Sequence, residues 1–219
     1  MSQHGDFQRL VPVRTAPVVI TEEDPWTPSG VDPKVIDAAW QAICEANPRA
    51  FDGQVLHVLD VQGTDEGTVT IRVAPCAYRY YAVQVNGLDC GARTLGAKAL
   101  VYSEDRLLLG QRADWVMYYP GQWEFVPGGS VQPGQSPEET ILEELQEETG
   151  CHAVESPESL AVTYDPQAYS WEVIHRIRLK ANATPVGSLE YDQLNWFRST
   201  DLPAGLSPIA QRMTALCNA

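Results

Sequence analysis

Six carboxylates (Glu138, Glu139, Glu143, Glu144, Glu147 and Glu148) fall between Pro137 and Gly150, a stretch with no positive side chain. The pattern nonetheless predicts a helix. Ser136 is placed to cap it, Pro137 suits its first turn, Glu139 completes a Ser-x-x-Glu capping box, and Gly150 is placed to end it. On that helix Glu144 with Glu148, and Glu143 with Glu147, become like-charge neighbours, each pair costing about 0.2–0.5 kcal/mol. Carboxylates beyond the first turn also meet the unfavourable end of the helix dipole. Something outside the helix must offset this repulsion, and a divalent cation is the simplest candidate. A solvated acidic face is the competing reading, and for a charge run taken alone it is the commoner one.

The preceding residues favour the cation. Trp123-Glu124-Phe125-Val126-Pro127-Gly128-Gly129 reads as an apolar strand running into two glycines, followed by a turn up to Gln135 and then the capped helix. Glycines let backbone approach a ligand closely, and a helix N-terminus favours anions. Glu144, Glu147 and Glu148 share one helix face, whereas Ile141, Leu142 and Leu145 occupy another sector that docks the helix on a sheet. Three converging carboxylates suit Mg²⁺ or Mn²⁺, hard cations that take oxygen ligands and keep waters. A metal clamp beside a phosphate cradle is a layout for handling a pyrophosphate.

The elements that must position these residues follow from periodicity and turn chemistry. Residues 1 to about 30 hold Pro12, Pro17, Pro25 and Pro28 and read as an extended arm. Asp32 and Pro33 start a helix with Val35, Ile36, Ala39, Trp40 and Ile43 at helical spacing, stopped at Asn47-Pro48. Gln54–Val61 and Thr68–Val73 read as strands joined through Gly63–Gly67, and Tyr78–Val83 as a further stretch of β-propensity. Ala97–Tyr102 and Arg106–Gln111 form a hairpin, and Trp115 to Pro120 a hydrophobic loop. After the acidic helix come strands at Leu160–Tyr164, Trp171–Leu179 and Leu194–Arg198, then a last helix capped by Ser207 and opened by Pro208.

From Gly129 to Cys151 the residues resemble the Nudix hydrolases. The box of that family reads Gly, five residues, Glu, seven residues, then Arg-Glu-aliphatic-x-Glu-Glu-x-Gly-aliphatic. Gly129, Glu144, Leu145, Glu147, Glu148 and Gly150 match in register, while Gln135 stands where the family has Glu and Glu143 where it has Arg. The resemblance covers roughly 95 to 219. It implies an α/β fold, a Nudix-type α/β/α sandwich with a mixed β-sheet (96–219), preceded by an N-terminal α+β extension (1–95). It also implies Mg²⁺ or Mn²⁺ held by Glu144, Glu147, Glu148 and the Gly129 carbonyl, with these carboxylates catalytic and Gly128 and Gly129 against the substrate. The reaction implied is cleavage of a nucleoside diphosphate derivative into two phosphate esters. In the family the Arg orients the first helix Glu, so Glu143 deprives Glu144 of a partner. A slower enzyme, a metal set rearranged onto Glu139 or Glu143, and a Nudix-fold domain that binds a nucleotide or protein partner without hydrolysis all remain open. Retention of the metal is expected, because the three helix ligands survive.

Phe51-Asp52-Gly53, Ile71-Arg72-Val73 and Tyr78-Arg79-Tyr80-Tyr81 look like the N-terminal region of the eukaryotic Nudix subgroup that cleaves UDP-glucose. That likeness implies a UDP-sugar substrate giving UMP and sugar 1-phosphate. Arg112, at a strand end, and Arg79 are candidates for a substrate phosphate. Tyr80, Tyr81, Trp115, Tyr118 and Tyr119 are candidates to stack a base, with packing the competing role. Glu139, Glu172 and Glu190 are candidate general bases, whereas His175, on an apolar strand face, reads as a core histidine.

Composition bounds the rest. A chain of 219 residues, 44% apolar and 20% charged, is ordinary for a soluble globular protein. Its net charge of −14 argues against nucleic-acid or anionic-membrane binding, and requires a cation or local basic patch wherever a polyanion docks. No run of eighteen apolar residues and no leader pattern is present, so a cytoplasmic location is expected. The five cysteines form no C-x-x-C pair and read as reduced thiols, and His4, His57, His152 and His175 fall in no zinc-ligand spacing. A homodimer is compatible with all of this.

Overall fold

The computed structural model describes residues 10–64 and 66–217. The first nine residues of the expected arm, with His4, and Asp65 of the Gly63–Gly67 loop lie outside the described residues. Two short strands, β1 (Val11–Pro12) and β2 (Val18–Thr21), precede helix α1 (Pro33–Ala46). Asp32 caps α1 by accepting from the Lys34 amide, and Asn47 ends it. Strands β3 (Gln54–Gly63) and β4 (Val69–Ala77) form an antiparallel pair, followed by helix α2 (Tyr78–Ala82) and a 3₁₀ turn to Asn86. Then come β5 (Thr94–Ser103), β6 (Arg106–Arg112), β7 (Trp123–Phe125), β8 (Gly128–Ser130) and helix α3 (Pro137–Thr149). Strands β9 (Glu158–Asp165), β10 (Ser170–Arg178) and β11 (Tyr191–Arg198) and helix α4 (Pro208–Met213) complete the order.

All these strands join one mixed sheet, in the order β1-β9-β10-β5-β3-β4-β2, with β6 linking β5 to β7 and β11, and β8 pairing with β5. Alternation along β5 divides the core between two faces. Leu95, Ala97, Ala99 and Val101 pack with Ile141 and Leu145 of α3, whereas Leu100 packs with Ile209, Ala210 and Met213 of α4. Strand β10 repeats the division, with Val173 and Ile177 on the α3 side and Ile174 on the α4 side. The sheet therefore lies between two helices, as expected.

The expected strand over Tyr78–Val83 is instead helical. Aromatic β-propensity is a statement about packing context, and here context favours the helix. The Arg79 amide and Nε both donate to Asp52, and Tyr78 N–H donates to the Gly53 carbonyl. A helical turn then turns Tyr78 and Tyr81 toward one another with ring centroids 6.0 Å apart, and Tyr81 toward Tyr118 at 5.9 Å. The arm expected over residues 1–30 is tied down at two places, β1 on β9 and β2 on β4. The N-terminal strands also join the main core, since Val58, Ile71 and Val73 pack in the same cluster as Leu95 and Ile141. A satellite cluster around Ile36, Val83 and Cys90 seats α1 beside α2.

Candidate active site

Helix α3 forms as its sequence requires. The Ser136 side chain accepts from the Glu139 amide, Glu139 accepts from the Ser136 amide, and Gly150 ends the helix in the left-handed conformation. This capping box occupies the helix N-terminus with the helix's own carboxylate. Glu139 is therefore committed to the cap, and the expectation of a phosphate cradle falls on Gly128–Ser130 alone. Those residues form strand β8, antiparallel to β5, in place of the expected loop.

The helix carboxylates differ in surroundings. Glu148 is buried, its Oε2 accepts the Gly128 amide at 3.3 Å, and the Tyr191 hydroxyl lies 3.4 Å from both its oxygens. Burial, then the charges of Glu144 and Glu190, hold its carboxyl well above the usual range. Glu144 is half-buried, and burial, followed by Glu147, Glu190 and Glu143, pushes it up to about 7. Glu147 is exposed. Among the described residues no three His, Cys, Asp or Glu side chains are drawn into one ready metal-binding group, so the expected convergence of the three carboxylates is not preformed. Mutual repulsion is the physical reason: like charges without a cation between them separate or take up protons. The chemistry of the donor set still fits a hard cation, being oxygen throughout. Gly129 lies against Glu144, and a Cβ on Gly129 would occupy the space of the Glu144 carboxylate.

A chain of ion pairs runs beside this cluster. Arg112 Nη1 donates to Glu190 at 2.8 Å, its guanidinium stands 5.3 Å from the centre of the Tyr191 ring, and its Nε is 3.9 Å from Glu124. Lys98 Nζ lies 3.5 Å from the same Glu124, whose other oxygen accepts from Ser207 at 2.9 Å. Burial lowers the Lys98 pKa, but Glu124 and Glu172 outweigh it and hold the ammonium charged. Glu172 is buried and accepts from Ser170 at 2.6 Å, and burial, partly offset by Lys98 and Ser170, raises its carboxyl to about 7.

Two adjoining cavities meet at the Gly128–Ser130 strand. An inner chamber of about 150 Å³ is walled by polar groups, among them Lys98, Glu124, Asp165, Ser170 and Glu172. An outer annex of about 620 Å³ is walled by Ile43 of α1, Tyr78, Val85, Trp115 and Met117, with Glu144 at its inner end. Tyr81, Arg112, Tyr118, Gly128, Gly129, Ser130 and Glu190 line both. Tyr119 holds the chamber wall in a left-handed backbone conformation (φ 58°), its hydroxyl donating to Asp165 at 2.6 Å.

Of the residues singled out from sequence, Arg112, Gly128, Gly129 and Glu144 meet at the cavity junction, with Glu148 behind Gly128. Arg79 does not. It is committed to Asp52 and to Asp37 of α1 at 3.0 Å and lines neither cavity, so its expected role at the substrate is corrected to tying α1 to α2. Tyr80 meets Trp26 edge-on instead of the cleft, whereas Trp115 stands in the annex at 65% exposure. His175 is buried as expected, and burial lowers its pKa to about 4. Lys98, Glu124, Asp165 and Tyr191 were not singled out. A lone charge inside an apolar strand run, as at Lys98 and Glu124, is the signal that marks such positions.

A family model described as NUDIX domain matches residues 92–217, more than half of the chain. A search of the curated proteins gives no match. Among solved structures, a MutT NUDIX hydrolase from Burkholderia pseudomallei is 25% identical, with 55% of this chain and 95% of that one covered and a TM-score of 0.46. A MutT protein from Methanosarcina mazei is 22% identical over 57% of this chain and 91% of that one, with a TM-score of 0.47. A bifunctional NMN adenylyltransferase/ADP ribose pyrophosphatase from Francisella tularensis, complexed with AMP and a Mn ion, is 16% identical over 62% of this chain and 45% of that one, at a TM-score of 0.48. The box in register and the family match together mean that this chain belongs to the Nudix family, a pyrophosphohydrolase by class.

Proposed function

We propose that the protein hydrolyses the pyrophosphate linkage of a nucleoside diphosphate joined to a second moiety, most specifically a UDP-sugar such as UDP-glucose, releasing UMP and sugar 1-phosphate. The observation that carries this reading is the two-compartment cleft: a chamber and an annex diverge from Gly129. A substrate with its phosphates in the middle and a group at each end fits such a cleft. A nucleoside triphosphate, with one organic end, leaves a compartment empty.

Glu144, Glu147 and Glu148, with the Gly129 carbonyl, would hold Mg²⁺ or Mn²⁺. Bound there, the cation neutralises phosphate charge and lowers the pKa of a coordinated water. The Gly128 amide and Tyr191 hydroxyl restrain Glu148, and Arg112, at the junction, presents a cation to a phosphate oxygen. Glu190 holds that guanidinium in place and is the junction carboxylate available to accept a proton from water. A screen of phosphate-ester release over nucleoside diphosphate sugars, dinucleotides, ADP-ribose and nucleoside triphosphates with Mg²⁺ tests the assignment. Turnover confined to triphosphates overturns it.

Glu143 favours a second reading. It supplies no donor to Glu144 and its charge helps raise the Glu144 pKa, a setting for a domain that binds the nucleotide derivative without cleaving it. Calorimetric binding of the same compounds with no product in the screen identifies that case.

A further inference from the structure

The two compartments differ in chemistry as well as in size. Two cations, Lys98 and Arg112, face the carboxylates Glu124, Asp165 and Glu172 in the inner chamber, with Glu190 at its mouth. With Glu172 raised to about 7 and Arg212 3.8 Å from Asp165, these charges nearly balance, so the chamber has no net positive field to gather a phosphate. The space is also narrow and its walls polar, which disfavours the flat, mostly apolar face of a base. Several of its groups retain hydrogen-bonding capacity. Among the described residues the nearest partner of Lys98 Nζ is Glu124 at 3.5 Å, and Glu172 receives one hydrogen bond, from Ser170, on Oε1. Gly96 and Gly128 make room for them: a Cβ would come within 2.5 Å of Glu172 Oε2 at the first and 3.1 Å of Lys98 Nζ at the second. Alternating acceptors and donors in a chamber of about 150 Å³ match a ring of vicinal hydroxyls, each of which donates once and accepts twice.

The annex is the opposite. Tyr78, Trp115 and Met117 give it apolar and aromatic walls, and the exposed indole of Trp115 can stack a planar ring.

We infer that the substrate lies with a polyhydroxylated, uncharged ring in the inner chamber, recognised by Glu172 and Lys98, and with its nucleobase in the annex against Trp115. The inference rests on the two-ended substrate proposed above and adds which end goes where and which residues select it. Discrimination among sugars belongs to the chamber, buried within the Nudix fold. Discrimination among bases belongs to the annex, which α1 and α2 of the N-terminal region wall, and is the looser of the two because stacking is tolerant of base identity.

Binding measured without turnover tests this. Calorimetric titrations of the full chain with UMP, UDP and UDP-glucose, in the presence of Ca²⁺ in place of Mg²⁺, should show UDP-glucose binding about tenfold more tightly than UDP, from hydrogen bonds to charged groups. Glu172→Gln and Lys98→Met should each bring UDP-glucose down to the level of UDP while UMP binding stays unchanged. Trp115→Ala should weaken all three ligands together. Because Lys98→Met leaves Glu124 with one cation fewer, Glu172→Gln, which removes charge without changing shape, is the deciding variant if Lys98→Met fails to fold. Equal affinity of UDP and UDP-glucose for the wild type, or equal loss of UMP and UDP-glucose in Glu172→Gln, overturns the inference. If the binding pattern holds and no product forms with Mg²⁺, hydrolysis is wrong and the orientation stands.

Discussion

Gln135 Nε2 donates to Glu143 Oε2 at 2.6 Å, so the two positions at which this chain departs from the Nudix box are each other's partner. The Gln135 carbonyl in turn accepts from the Thr140 hydroxyl at 3.3 Å, which fixes the amide orientation. Gln135 and Glu143 thus meet through a hydrogen bond between an amide and a carboxylate. The pair ties the start of the helix to the loop before it and leaves the side chains of Glu144, Glu147 and Glu148 out of the contact.

Coupling predicts non-additivity. Glu143→Arg alone places a cation against an amide already committed to Thr140, and Gln135→Glu alone sets two carboxylates against each other. The double variant restores an ion pair and offers Glu144 a donor, so turnover should rise by about ten- to a hundredfold, the scale of partners that orient metal ligands. A double-mutant cycle on turnover checks this. A double variant slower than wild type means that the Gln135–Glu143 pair is itself part of the working site.

Gly129→Ala should weaken Mn²⁺ binding by about ten- to a hundredfold, because the new Cβ would displace the Glu144 carboxylate. The obstruction is the end of a flexible side chain, so the fold should persist. Circular dichroism and Mn²⁺ titration of the same sample separate the two effects.

In the metal-free protein Glu144 and Glu172 should contribute stability that is lost as pH rises, while His57 and His175, whose pKa values burial lowers to about 4, contribute in the opposite sense. Glu144 moves from an ordinary 4.5 to about 7 in the folded state, and Glu172 does the same. At these two carboxyls the folded chain therefore binds more protons than the unfolded chain between these values. Their contribution is fully present below about 4.5 and is lost as pH rises through about 7. Mn²⁺ binds the ionised form, so it should reverse the trend. Melting temperatures of wild type, Glu144→Gln and Glu172→Gln at pH 5, 6.5 and 8, with chelator and with Mn²⁺, isolate this contribution, and a chelated wild type that does not lose stability relative to the two variants over this range contradicts the assignment.

Arg79→Ala should destabilise the chain by about 1 kcal/mol, a charged hydrogen bond discounted for partial exposure, without changing KM. Asp52→Asn should do the same. Denaturant melts alongside steady-state kinetics distinguish this structural role from a substrate contact.

What the sequence revealed, and what it did not, follows the range of the interactions. Helix α3 was legible to the residue because Ser136, Pro137, Glu139 and Gly150 are local signals acting within a single turn. Glu144, Glu147, Glu148, Gly128 and Gly129 were legible as candidates because they sit in that helix and in the strand just before it. Tyr78–Val83 was misread because its helix depends on Asp52, twenty-seven residues away. The chamber was largely invisible for the same reason. Lys98, Glu124 and Glu172 come from three strands and gain meaning only when the sheet brings them together.

The central claim is that water cleaves between the two phosphates of a two-ended substrate at the Glu144–Glu148 clamp. Phosphorus NMR of UDP-glucose with Mg²⁺ in ¹⁸O-labelled water measures it most directly. The account predicts UMP and glucose 1-phosphate in equal amounts, the label in one of the two, and a rate at least about a hundredfold lower in Glu148→Gln. Release of inorganic phosphate from UTP in preference to any UDP-sugar cleavage, or an unchanged rate in Glu148→Gln, would contradict it.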